Sequence, residues 1–217
     1  MKKTILILSI LLGSISFAFP SLSGSSGLIN MPTADSLRYK EYNLGFAYYN
    51  DATAGTVCKY FGNLGTFNGF ELGFIGNTEK EGVFLNMKYY MLSDKSSTPL
   101  ALAFGIDNIS SFSLTNLYLV LSKKMKPELD FHLGFLTNVS RGKIAPQLMI
   151  GGEYLLTKNL LFITDMVGEN SSWNVSAGFR FFLASNLILN AAVTDISNSS
   201  GAGSNTISVG LAYIDFM

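Results

Sequence analysis

From about Asn43 to its C-terminus the chain repeats one unit, a run of alternating large-apolar and small-or-polar residues followed by a turn. The clearest copy is 128–138, where Leu129, Phe131, Leu133 and Phe135 share one parity and Asp130, His132 and Gly134 the other. Successive side chains on a strand point to opposite faces, so each such segment has one greasy face and one polar or crowded face. Twelve segments carry the pattern: 43–50, 55–61, 69–76, 82–91, 99–107, 114–122, 128–138, 147–156, 160–167, 173–182, 187–194 and 206–216. Segment 114–122 is apolar on both parities and cannot be oriented. A meander of this kind predicts an all-β, antiparallel up-and-down barrel of about twelve strands, with ten or fourteen also compatible.

Alternation alone does not say which side of the barrel is wet. A lipocalin-like barrel turns its apolar parity inward and covers its outside with Lys, Glu and Thr. Here the opposite parity is led by glycine (Gly45, Gly73, Gly105, Gly134, Gly151, Gly178, Gly210), which signals crowding or tight curvature. The greasy parity is continuous and carries aromatics near segment ends, at Tyr48, Tyr60, Tyr89, Tyr154, Trp173 and Tyr213. Hydrophobic residues reach 48% and charged residues only 14%, against roughly 25% charged in soluble domains. Apolar content this high, with no helix-length apolar run after residue 20, predicts a transmembrane barrel whose greasy face meets outer-membrane lipid.

The first residues set the route. Lys2 and Lys3 precede the apolar run Thr4–Leu12, and Ser16-Phe17-Ala18 supplies small residues, which predicts a signal peptide over 1–18 cleaved near Ala18. Residues 19–42 then read as an extended leader, below the barrel or tucked into its lumen, and 43–217 as the barrel domain. Loss of Lys2 and Lys3 moves the formal charge from 0 to −2, so no basic patch points to nucleic acid. The final strand, Ser208–Met217, resembles the C-terminal signal read by barrel-assembly machinery, although Phe216 is penultimate and Asp215 lies on the outward parity. The location predicted is the outer membrane of a Gram-negative-type bacterium.

Counting back from the C-terminus, a longer polar connection (Ser197–Asn205, Gly168–Ser172) alternates with a tight turn (Ala184-Ser185-Asn186, Thr157-Lys158-Asn159). Short turns on one side and longer loops on the other are the outer-membrane rule.

The leader run Gly24–Ala34 contains Gly27-Leu28 and then Pro32-Thr33-Ala34, ahead of a first strand at Leu44–Tyr49. That arrangement resembles the opening of the YjbH-like family of outer-membrane proteins. The resemblance implies an envelope location and a link to exopolysaccharide production or export, and it carries no catalytic residues.

The ionisable groups assigned inward are Lys59, Glu71, Lys88, Asp107, Asp130, His132, Glu153, Asp165 and Arg180. They fit either a polar channel tuned for solutes or a lumen plugged by mutually neutralising ion pairs. Both signs are present, and no anion or cation preference is read from them at this level. His132 with Asp130 is the only dyad-like pair, but residues two apart on a strand lie about 7 Å apart and no serine is linked to them. No catalytic, cofactor or metal site is assigned; one histidine and one distant cysteine, Cys58, make no ligand set. The reading is a non-enzymatic barrel with a porin-like or exopolysaccharide-related role. A structural or adhesive barrel presenting outer loops, and an envelope-lipid-modifying enzyme, are the alternatives.

Overall fold

In the computed structural model, residues 18–51, 55–67, 69–78, 82–92, 100–111, 115–139, 144–170, 172–199 and 205–217 are described. The signal peptide expected over 1–18 lies outside them except for Ala18. Twelve strands run β1 Glu41–Asp51, β2 Gly55–Phe67, β3 Phe70–Asn77, β4 Val83–Leu92, β5 Ala101–Asp107 and β6 Asn116–Lys126. They continue as β7 Leu129–Asn138, β8 Ala145–Thr157, β9 Leu160–Glu169, β10 Ser172–Phe182, β11 Leu187–Thr194 and β12 Thr206–Phe216. Each pairs antiparallel with its sequence neighbours, and β1 closes on β12 with Phe46 opposite Leu211 and Ala47 opposite Gly210. Closure leaves no row of unpaired backbone groups at an edge, which is what allows a sheet to stand in an apolar medium.

The two faces separate as the alternation requires. Phe131, Leu133 and Phe135 are 50%, 44% and 60% exposed on the outside, while His132 and Gly134 between them are buried. Leu44, Phe46 and Tyr48 on β1 and Ile207 and Val209 on β12 continue this exposed apolar belt around the closure seam. Aromatic residues gather where strands end: Tyr42 meets Tyr213, and Phe70 meets Tyr89, each pair with ring centroids 6.3 Å apart. Asp215, on the outward parity, is held by Tyr213 Oη at 2.5 Å and by the Phe216 N–H at 2.8 Å.

Two local readings are corrected and one left open is settled. Strand β2 runs to Phe67 rather than ending near residue 61, with Gly62 and Asn63 paired to Phe74 and Gly73 of β3. Gly69, just before β3, has φ 78°. Gly168 also belongs to a strand, paired with Trp173, and β9 runs on to Glu169, so the connection expected over Gly168–Ser172 starts later than expected. The orientation of β6 is settled: Tyr118, Val120 and Ser122 face inward, and Leu119 and Leu121 outward. Its inner face is apolar because Tyr118 and Val120 share one cluster with Leu28, Ile29, Met31 and Ala34 of the leader.

Closure can be tested by cross-linking. Neighbouring antiparallel residues have Cα atoms about 4.5–5.5 Å apart, within disulfide range. A Phe46→Cys/Leu211→Cys pair in a Cys58→Ser background should oxidise to a faster-migrating species on a denaturing gel; thiols that stay free would indicate an open sheet.

Candidate functional site

The barrel interior is occupied by the chain's own N-terminal segment. Ala18 stands near the start of β1, where Asn43 Nδ2 donates to its carbonyl at 2.9 Å. The segment leaves beside Gly65, whose carbonyl accepts the Lys40 N–H at 2.8 Å. Between these points Phe19, Ser25, Ser26, Leu28, Ile29, Met31, Ala34 and Leu37 are all buried. Isolated bridges Pro20 to Ser26 and Gly27 to Pro32 fold the segment on itself. Leader side chains and lumen side chains form the core jointly: Leu28, Ile29 and Met31 pack with Met149, Leu161 and Ile163. Phe19 packs with Phe61 and lies under the Arg180 guanidinium, 4.6 Å from its ring centre.

Polar contacts fix the segment from two sides. On the β2–β5 side, Lys88 Nζ is ringed by the carbonyls of Ser26 (2.9 Å), Thr33 (3.3 Å) and Asp35, and by the Ser26 hydroxyl. Glu71, 3.8 Å from Lys88 Nζ, accepts from the Ser26 N–H and hydroxyl at 3.1 and 2.8 Å and from the Leu37 N–H at 3.1 Å. Asp107 takes the Ser25 hydroxyl. Lys59 Nζ donates to the Leu22 carbonyl at 2.7 Å, Asn63 to Gly24 at 2.9 Å and Asn86 to Ser23 at 3.2 Å.

On the β9–β10 side, a single carboxylate oxygen, Asp165 Oδ2, accepts three successive backbone N–H groups, from Ile29, Asn30 and Met31 at 2.8, 2.6 and 3.1 Å. Arg180 Nη2 donates to the carbonyls of Gly27 and Leu28 at 2.6 and 2.8 Å. Asn30 Nδ2 reaches Ser176 Oγ at 2.7 Å. A turn without a regular hydrogen-bond ladder thus finds partners for its buried backbone, which would otherwise be costly. Gly151 is part of the same fit, since a Cβ there would collide with Leu28 and crowd Met31.

Six of the nine ionisable residues assigned inward from sequence, Lys59, Glu71, Lys88, Asp107, Asp165 and Arg180, bond the leader directly. His132 does so through Ser122: Ser122 Oγ bonds His132 Nδ1 at 2.7 Å and accepts the Ala34 N–H at 2.9 Å. Glu153 Oε1 stands 3.9 Å from His132 Nε2. Asp130 lies opposite Lys124 and Glu153 in register. The motif residues Gly27, Leu28, Pro32, Thr33 and Ala34 are all within the buried stretch.

The dyad question changes with Ser122, which sequence reasoning missed because β6 could not be oriented. A serine is linked to His132, opposite it in register. Its oxygen already holds the leader backbone, and the group faces the filled lumen rather than the exposed apolar belt where an acyl chain would lie. Asn43, Asn63, Asn86 and Ser176 were missed for a different reason. Polarity on the inward parity marks them, but a search confined to ionisable groups passes over them.

A closed barrel with an apolar exterior and its own N-terminal segment bonded inside a polar lumen is a plugged β-barrel. The fold is that of porins. The KdgM porin superposes with a TM-score of 0.64 at 14% identity, covering 81% of this chain and 99% of that one. The NanC porin gives 0.60 at 12% identity over 79% and 98%. Omp33, an outer-membrane protein of Acinetobacter baumannii, gives 0.50 at 10% over 82% and 99%. No family model and no curated protein matches the chain, so the YjbH-like resemblance gains no support from them.

The network predicts how the leader can be released. Asp165→Ala leaves three buried N–H groups without their acceptor and should weaken leader seating by about 3 kcal/mol. Limited proteolysis should then cut within residues 24–37 while the barrel stays intact; Gly151→Val should do the same by steric displacement.

Proposed function

We propose that this protein is an outer-membrane β-barrel with a porin-like transport role, kept closed at rest by its N-terminal leader. The apolar belt, the closed sheet and the porin-like fold support the membrane setting. The signal sequence supports export, with cleavage near Ala18 leaving Phe19 as the first residue of the plug. Lipid is the partner of the outer face, and barrel-assembly machinery the partner of the last strand during insertion.

The observation that carries the transport reading is the character of the plug's contacts. The lumen meets the leader with charged and amide side chains as well as apolar ones. Barrels of about eight strands fill with their own side chains, whereas sixteen or more leave a channel. Twelve strands enclose more than they fill, and here the leader supplies the remainder. A segment anchored covalently only at its β1 end can leave without breaking the sheet, and what it vacates is a polar passage. The exopolysaccharide link rests on the Gly27–Ala34 motif alone, and plug seating gives that motif a different physical use.

Single-channel recording in planar bilayers tests this. The full chain should be closed or rarely open, and a variant lacking residues 19–38 should conduct steadily. A deletion variant that is folded by circular dichroism and remains silent would leave a structural barrel, presenting its outer loops, as the reading. The membrane setting has its own check: Leu133→Arg, in the exposed belt, should destabilise the bilayer-inserted barrel by about 2–4 kcal/mol. An unchanged unfolding midpoint would mean that this face does not meet lipid.

A further inference from the structure

We infer that the passage uncovered when the leader leaves selects for cations, so that its solutes are inorganic cations or small cationic organic molecules. The inference rests on the gated-passage reading above. Buried or half-buried and facing the lumen from the strands, among the described residues, are six carboxylates, Glu41, Glu71, Asp107, Asp130, Glu153 and Asp165, against three bases, Lys59, Lys88 and Arg180. The difference, six minus three, leaves three negative charges with His132 neutral.

With the leader in place much of this charge is masked without being neutralised. Asp165 is satisfied by backbone N–H groups, Asp107 by a serine hydroxyl and Glu71 partly by the Ser26 and Leu37 amides. None of these donors carries a net positive charge, so their withdrawal uncovers the acids. The second oxygen of Asp165, buried and pointing into the same interior, has no hydrogen-bond partner among the described residues. Of the bases, Lys88 is locally offset, 3.8 Å from Glu71, while Arg180 on β10 lies opposite Leu161 and Asp165 on β9 lies opposite Ser176. Among the described residues the inward bases Lys59, Lys88 and Arg180 stand apart on β2, β4 and β10 and form no continuous basic row. In a narrow space with low-dielectric walls, a net charge of this sign raises the local concentration of cations and excludes anions.

The test is the reversal potential of the 19–38 deletion variant in a potassium chloride gradient across a planar bilayer. The expected sign is that of potassium permeating several-fold better than chloride. Glu71→Gln, Asp107→Asn and Asp165→Asn combined in that background should bring the ratio to unity or below. A second variant, full-length Gly151→Val, keeps every lumen charge and covers the case in which the deletion variant fails to fold. Conductance with a reversal potential at zero or of the chloride sign would overturn the cation preference while leaving the gated passage standing. Absence of conductance in both folded variants would overturn the gated passage itself, and the preference with it.

Discussion

The structure depends on one constraint: charged and polar groups enclosed by the barrel must find partners there. Lys88, Glu71, Asp107, Asp165 and Arg180 are all buried, and an unpaired buried charge is too costly to keep. The leader resolves this. Its backbone offers N–H groups where the wall carries carboxylates and carbonyls where the wall carries Lys88 and Arg180. Hydrogen bonds to charged groups contribute about 1.5–3 kcal/mol each, so a handful of them offsets much of the entropy lost in ordering an irregular segment.

The same arrangement explains features with no bearing on strand formation itself. Gly151 gives Leu28 and Met31 room, and Tyr118 and Val120 make the inner wall of β6 apolar where the apolar part of the leader lies. An inner face that is neither uniformly polar nor uniformly greasy is therefore the imprint of one particular segment. A plug held by many individually modest contacts can be released by a change at a few of them. The closed sheet, whose ladder is independent of the leader, keeps its own pairing.

Much of this was legible in the sequence, and the failures have physical causes. Segments 187–194 and 206–216 have the same bounds in the structure, because a one-residue slip would turn every apolar side chain to the wrong face. Gly168 misled, since glycine signals a turn in isolation yet here sits in a paired strand. Segment 114–122 gave no orientation because the partner that makes its inner face apolar lies about ninety residues away in the chain. Ser122 was hidden for that reason. The leader read as extended, below the barrel or within it; nothing local chooses between these, because its binding partners are scattered over β1 to β10.

Amide hydrogen exchange of the folded full-length protein, reconstituted in lipid, tests the central claim most directly, read at Ile29, Asn30 and Met31. Their N–H groups converge on Asp165 inside a closed wall, so they should be protected to the same order as the amides of β9 and β10. Exchange at the rate of an unstructured peptide would place the leader outside the barrel and contradict the account.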